Sequence, residues 1–187
     1  KYVWPDGLEV YAKSNLVFYA ATIVDHMILA GTDTGDLYII YEDDLNDITY
    51  IGNMDMVVTD MAYNKADGNV YGIADNRNLV TIDKLTGETT VVGPVGFETN
   101  TLACDANGTF YCNKLGTGGL YSFTLDTMSE PKLLATGCDT YWDWEIPTMG
   151  VQAMEINHNN GMLCWNSYYY ESFGIFTFGY SFYIEYN

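Results

Sequence analysis

The feature that most constrains this fold is an internal repeat of about forty residues. The clearest unit spans residues 60–93, and a partial copy over 153–165 follows an insertion of about a dozen residues. Shifting the clearest unit by one repeat in either direction matches Ala62 with Ala103, Tyr71 with Tyr111, Leu79 with Leu120, Gly72 with Gly31, Leu79 with Leu37 and Gly93 with Gly52. A chain that repeats at this period builds its core by stacking similar units.

Each unit is predicted to contain four short strands. In the second unit these strands cover residues 60–64, 69–74, 79–83 and 88–92. Short β-branched and aromatic runs separated by Asp-Gly and Thr-Gly turns are typical of hairpins, because glycine supplies the positive φ that a tight turn needs. Helical periodicity is absent, so the fold class is all-β.

Four-stranded units at this spacing are typical of β-propeller blades, in which each sheet covers a face of the next. The chain then forms one propeller-like domain, 1–187, with repeat units at about 16–57, 58–97, 98–150 and 151–187. Three arrangements stay open: an open arc cut from a larger propeller, a small closed ring, and an open array that pairs with a second copy as a homo-oligomer.

The units also resemble a family of bacterial extracytoplasmic propellers. Its blades read roughly Asp-x-Ala…Gly-x-Leu-Tyr-Gly-x-Asp…Leu-x-x-Ile-Asp-x-x-Thr-Gly-x-x-Thr-x-Val-Gly, and residues 60–93 carry this pattern almost throughout, with 101–137 carrying it in part. The resemblance implies an extracellular or cell-surface location. Since the chain has neither an initiator Met nor a signal sequence, we expect it to be an excised piece of a longer protein.

Composition excludes several classes of partner. The net charge is −18, from 7 Lys and Arg against 25 Asp and Glu. Nucleic-acid binding needs a basic surface, which this chain lacks. No apolar run of about 18 residues is present, so membrane insertion is not expected.

Polar residues at the start of each innermost strand are predicted to line the central channel. The predicted channel-lining residues are Asn15, Asp60, Asn100 and Gln152. Such a set suits a cation or the hydroxyl groups of a small ligand, and ordinary capping of strand ends is the alternative.

No catalytic residues are predicted. His26 and His158 fall in turns between first and second strands, where we expect them to be solvated and away from the channel, and no Gly-x-Ser-x-Gly motif is present. The acidic run that contains Asp43, Asp44 and Asp47 offers weak metal ligands, for which Ca²⁺ is the suitable cofactor. A solvated acidic edge explains the same run.

The insertion at 138–149 is the most suggestive segment for binding. It sets aromatic side chains beside carboxylates, a combination that can stack on sugar rings and accept hydrogen bonds from their hydroxyls, or anchor a protein partner. The predicted ligand-binding residues are Tyr141, Trp142, Asp143, Trp144 and Glu145. The alternative is that the tryptophans fold back over the core.

The four cysteines, Cys104, Cys112, Cys138 and Cys164, do not form a disulfide framework. If Gly108 closes a hairpin turn, Cys104 faces Phe110 and lies diagonal to Cys112, a poor geometry for a disulfide. We therefore expect small buried thiols.

The sequence favours a non-catalytic, extracytoplasmic binding module that recognises a glycan or a protein through a loop face. One alternative is a lactonase- or lyase-like propeller enzyme with a divalent cation in its channel. The other is a structural spacer within a larger surface protein.

Overall fold

The computed structural model describes residues 14–117, 119–136, 150–173 and 176–186. These residues form four antiparallel sheets that follow one another along the chain, and the strands of each sheet are paired in sequence order. The predicted all-β class is confirmed.

The first two sheets have four strands each. Sheet 1 contains β1 (Phe18–Val24), β2 (Met27–Thr32), β3 (Asp36–Tyr41) and β4 (Asp44–Asn53). Sheet 2 contains β5 (Val58–Asn64), β6 (Asn69–Ala74), β7 (Asn78–Ile82) and β8 (Thr89–Pro94). The strands predicted for the second unit therefore lie where the sequence placed them, with small shifts at their ends.

Sheet 3 again has four strands, whereas sheet 4 has three. Sheet 3 contains β9 (Ala103–Cys104), β10 (Phe110–Asn113), β11 (Leu120–Phe123) and β12 (Lys132–Ala135), with one 3-10 turn at Leu125–Thr127. Sheet 4 contains β13 (Gly150–Asn157), β14 (Met162–Phe173) and β15 (Phe176–Tyr186). The expected fourth strand of the last unit is not among the described residues, where β14 and β15 instead form a long hairpin.

Tight turns set the register of the hairpins. Gly68 and Gly108 take φ values of 79° and 84° after the first strands of sheets 2 and 3. The β1–β2 turn has no glycine, and Asp25 and His26 themselves adopt φ values of 47° and 68°. Positive φ at both central residues is the geometry that a two-residue hairpin requires.

The innermost strands of the four sheets lie against one another. β1 contacts β5, β5 contacts β9, and β13 contacts both β5 and β9. In three of these strands a register shift falls at an equivalent place, namely at Tyr19, Thr59 and Gln152. Residues about one repeat apart therefore occupy equivalent positions.

Among the described residues the core consists of three apolar clusters, one between each pair of successive sheets. Leu37 and Met61 belong to the first, Leu79 and Phe110 to the second, and Leu120 to the third. A four-stranded sheet cannot bury both faces alone, so stacking supplies the buried area. Among the described residues no helix is long and apolar enough to cross a membrane.

Candidate functional site

Asp60 lies where the innermost strands meet, and its carboxylate joins three sheets. Its Oδ2 accepts hydrogen bonds from the backbone N–H of Leu102 at 2.8 Å and of Met154 at 3.0 Å. Its Oδ1 accepts the backbone N–H of Met61 at 3.0 Å. Sheet 2 is thereby bonded to the segment that enters sheet 3 and to the first strand of sheet 4.

Asp60 is 3% exposed, and no cationic side chain is among the groups that bond to it. Burial raises the pKa of its carboxyl well above the ordinary value, while the three N–H donors act in the opposite direction. The charge of Glu155 also raises this pKa. Both carboxylate oxygens of Asp60 accept backbone N–H groups, so this side chain links sheet 2 to sheets 3 and 4.

A second carboxylate, that of Glu155 in β13, is partly buried. Its Oε2 accepts a hydrogen bond from the hydroxyl of Thr22 at 3.2 Å, and its Oε1 accepts the N–H of Ile156 at 2.9 Å. The Thr22 hydroxyl in turn accepts the N–H of Tyr63 at 3.1 Å. Burial raises the pKa of Glu155 to about 7. The two hydrogen bonds and the charge of Lys65 act in the opposite direction and lower this pKa.

A cavity of about 350 Å³ separates the first strand of sheet 1 from sheet 4. Asp60 and Glu155 provide its carboxylates, and the rest of its lining is mainly apolar. The lining residues used below are Phe18, Tyr19, Ala21, Met154, Glu155 and Trp165.

The face of sheet 1 that points away from sheet 2 carries two apolar rows across all four strands. Directly paired residues on neighbouring strands project to the same face. The register therefore defines one row of Ile23, Ile28, Ile40 and Ile48 and a second row of Ala21, Ala30, Tyr38 and Tyr50. We call these eight residues the outer face of sheet 1.

The outer face of sheet 1 is exposed in part. Ala21, Ile23 and Tyr50 are exposed, and Ala30 is buried. The other four residues are partly buried. Ile23 is 52% exposed and Tyr50 is 54% exposed, and none of the eight residues belongs to the three core clusters of the described chain. Phe18 extends the face, since its ring lies edge-on to Tyr38 at 6.1 Å, and Tyr38 lies edge-on to Tyr50 at 5.4 Å.

Three of the predicted channel residues lie on or beside the inner strands. Asn100 and Gln152 each stand two residues before a backbone donor to Asp60, namely Leu102 and Met154. Asp60 lies at the junction of the inner strands, and the register makes Ala20, not Asn15, its equivalent in sheet 1. Asn15 is exposed before β1, and Gln152 lies in β13 beside the cavity-lining residues. The side-chain oxygen of Asn100 is buried and makes no hydrogen bond to the described residues.

The predicted ligand-binding residues Tyr141, Trp142, Asp143, Trp144 and Glu145 lie outside the described residues. The insertion that contains them connects β12 to β13 along the chain. Their role stays a prediction from sequence.

The predicted acidic metal ligands lie on an exposed edge. Asp43 is in the turn before β4, and Asp44 and Asp47 lie in β4 itself. The Oδ1 of Asp44 accepts hydrogen bonds from the backbone and side-chain nitrogens of Asn46. Within the described ranges, no group of three or more His, Cys, Asp or Glu side chains is placed to hold a metal ion.

The two histidines differ in their surroundings. His26 is 94% exposed beside Glu42, with 3.4 Å between Nδ1 and Oε2. His158 instead lines a cavity of about 350 Å³ between sheets 3 and 4 with Asp105 and Tyr111. His158 is nevertheless an exposed turn residue, as the sequence predicted. Partial burial and the charge of Lys65 lower its pKa.

Sequence reasoning missed Glu155 and the outer face of sheet 1. In the first strands of the other three units, the position equivalent to Glu155 holds Thr22, Ala62 or Ala103. A carboxylate where the other units have a small residue is the sequence signal that could have identified Glu155. The isoleucine row becomes visible only when the register of four strands is known.

Comparison with known proteins shows the fold alone. No family model matches the chain, and no curated protein matches it by sequence. The glutaminyl cyclase of Myxococcus xanthus superposes with a TM-score of 0.62 at 12% identity, over 81% of this chain and 68% of that protein. A protein of unknown function from Bacteroides thetaiotaomicron gives 0.54 at 16% identity, over 84% and 42%.

Raptor from Chaetomium thermophilum aligns over 83% of this chain with a TM-score of 0.50 and 9% identity, but over only 15% of its own length. The chain thus spans less than half of the Bacteroides protein and a small part of Raptor. Its stacked sheets are of the β-propeller type, and an open propeller fragment fits them. Many different functions occur on this fold, so the fold itself does not identify one.

Proposed function

We propose that this chain is a non-catalytic binding module of the propeller type, that it acts outside the cell or at the cell surface, and that its ligand is a protein. The observation that carries the proposal is the outer face of sheet 1, where Ile23 and Tyr50 are each more than half exposed within two continuous apolar rows. Large exposed apolar patches on soluble proteins mark interaction sites. The likeness of residues 60–93 to extracytoplasmic propeller repeats supports the location.

A binding role also agrees with how the carboxylates are used. Asp60 accepts three backbone N–H groups, and Glu155 accepts a hydroxyl and a backbone N–H. Both carboxylates act in holding sheets together. The alternative of a lactonase- or lyase-like enzyme needs Asp60 as a cation ligand, and metal analysis of untreated protein at a known concentration tests it: stoichiometric metal that D60N removes would favour the enzyme.

A glycan is the second candidate ligand, and the composition of the 138–149 insertion favours it. Trp142 and Trp144 alternate with carboxylates there, which suits stacking on sugar rings. This candidate uses different residues from the outer face of sheet 1, so variants can separate the two.

The test is a binding screen of the purified chain against a glycan array and a panel of purified extracellular proteins. We expect the screen to identify a protein ligand. The double variant Ile23→Thr/Tyr50→Thr should lose binding of this ligand. The matched control Val91→Thr, which changes an exposed strand residue of sheet 2, should retain it. A glycan ligand that only Trp142→Ala/Trp144→Ala loses would replace the proposal with the second candidate. Equal binding by all three variants would contradict both.

A further inference from the structure

We propose that the outer face of sheet 1 docks a basic polypeptide surface, one with an apolar centre and lysine or arginine side chains around it. This inference rests on the proposed protein-binding function and names the chemistry of its partner. It is carried by the distribution of charge around the face.

The centre of the outer face is without charge. Its eight residues are four isoleucines, two alanines and two tyrosines, arranged in rows that cross the whole sheet. Protein interfaces have such apolar centres, in which charged residues are depleted and tyrosine is enriched.

The rim of the same sheet is acidic on several sides. The turns that join its strands carry Asp25, Asp33, Glu42 and Asp43, all exposed, and the edge strand adds Asp44 and Asp47. Between residues 14 and 64 the sequence has nine Asp and Glu and no Lys or Arg. Sheet 1 contains no lysine or arginine to pair with these carboxylates, and Lys84 of sheet 2 lines a cavity with Asp25 alone among them. A basic partner would therefore bring further cations to the rim.

Charge also argues against a second copy of this chain as the occupant. The whole chain carries −18, and its seven Lys and Arg all lie outside sheet 1. Two such surfaces would repel one another, since like charges across an interface are unfavourable. A basic partner gains attraction at the rim and an increased association rate.

The cavity between sheet 1 and sheet 4 extends the proposed binding surface beyond the outer face of sheet 1. It continues from Phe18, Tyr19 and Ala21 of sheet 1 to Met154 and Trp165 of sheet 4, and its volume of about 350 Å³ suits side chains that project from the partner.

The probe for the experiment is a synthetic peptide of alternating isoleucine and threonine flanked by lysine pairs, with a glutamate-flanked peptide as its control. Anisotropy titrations of the full chain should show binding of the lysine peptide, at least tenfold weaker binding of the glutamate peptide, and loss of affinity as salt rises. The double variant Ile23→Thr/Tyr50→Thr should weaken binding of the lysine peptide at least tenfold. The double variant Asp43→Asn/Asp44→Asn should weaken binding of the same peptide and reduce its salt dependence. The control Val91→Thr should leave its affinity unchanged.

Equal affinity for both peptides, or no binding of the lysine peptide, would overturn the basic partner while leaving the protein-binding function standing. Sedimentation should show a monomer, and a dimer that Ile23→Thr/Tyr50→Thr dissociates would assign the face to a second copy. Peptide-level maleimide labelling of Ile23→Cys should be as fast as that of Val91→Cys. Protection of the cysteine at 23 would show that the chain covers the face itself and would overturn the proposal.

Discussion

The hydroxyl of Thr22 in the first sheet donates a hydrogen bond of 3.2 Å to the carboxylate of Glu155 in the last sheet. The same hydroxyl accepts the backbone N–H of Tyr63 in the second sheet. The Thr22 side chain thus links sheet 1 to sheet 4 and to sheet 2, and the carboxylate that it contacts is partly buried.

The stability of the chain should therefore fall as Glu155 is forced to ionise. Its pKa is raised from 4.5 to about 7, so between these values the folded state holds a proton that the unfolded state has released. The free energy of unfolding then decreases as pH rises through this interval, by about 3 kcal/mol for the full shift.

Urea unfolding of the wild type and of Glu155→Gln from pH 4.5 to 7.5 measures this effect. The stability of the variant relative to wild type should increase with pH, whereas the exposed control Glu88→Gln should track the wild type. A constant difference between Glu155→Gln and wild type across the interval would contradict the assignment.

Removing the carboxylate of Asp60 should destabilise the chain strongly. Asp60→Ala leaves the N–H groups of Leu102, Met154 and Met61 without their acceptor, and we expect a loss of about 3 kcal/mol or more. Asp83 provides the matched control, because its Oδ1 also accepts two backbone N–H groups, but both within its own exposed turn. Asp83→Ala should cost about 1 kcal/mol in the same denaturation experiment, and equal losses would show that Asp60 does not join the sheets.

The two faces of sheet 1 should respond differently to truncation. Leu37 is fully buried against sheet 2, so Leu37→Ala should cost about 2–5 kcal/mol. Ile23 on the outer face is half exposed, and Ile23→Thr should change stability by less than about 0.5 kcal/mol while it reduces binding of a hydrophobic dye. Thermal unfolding and dye fluorescence measure both; a large loss of stability in Ile23→Thr would mean that the outer face is packed.

The thiols of Cys104 and Cys112 should be unreactive in the folded chain. Both are buried and free, and burial raises the pKa of each to about 12. Cys104 pairs across the hairpin with Phe110, as the sequence predicted. Iodoacetamide at pH 8 followed by peptide mass spectrometry should find both unmodified until denaturant is added, and rapid modification of either would contradict their burial.

The sequence was sufficient to predict the hairpins, because a turn such as that at Gly68 and the β-branched runs beside it are local signals. It also predicted that residues about forty apart are equivalent, and the shared register shifts at Tyr19 and Thr59 confirm this. The last unit was less predictable, since its described residues form three strands, two of them long, where four short strands were expected.

Most of the contacts in the candidate site could not be predicted from the sequence. Asp60 was selected as a channel residue, but its bonds to Leu102 and Met154 depend on packing between sheets far apart in the chain. Likewise, the alignment of Ile23 with Ile48 requires the pairing of four strands. Local patterns specify strands and turns, whereas contacts between sheets depend on tertiary geometry.

The most direct test of this account is native-state hydrogen exchange, measured by NMR, at the amides of Leu102 and Met154. If Asp60 holds sheets 2, 3 and 4 together, both amides should exchange only through global unfolding. Both should also exchange much faster in Asp60→Ala than in Asp83→Ala. Exchange of either amide within minutes in the wild type, at the rate of the exposed turn amides, would contradict the stacked arrangement of the sheets.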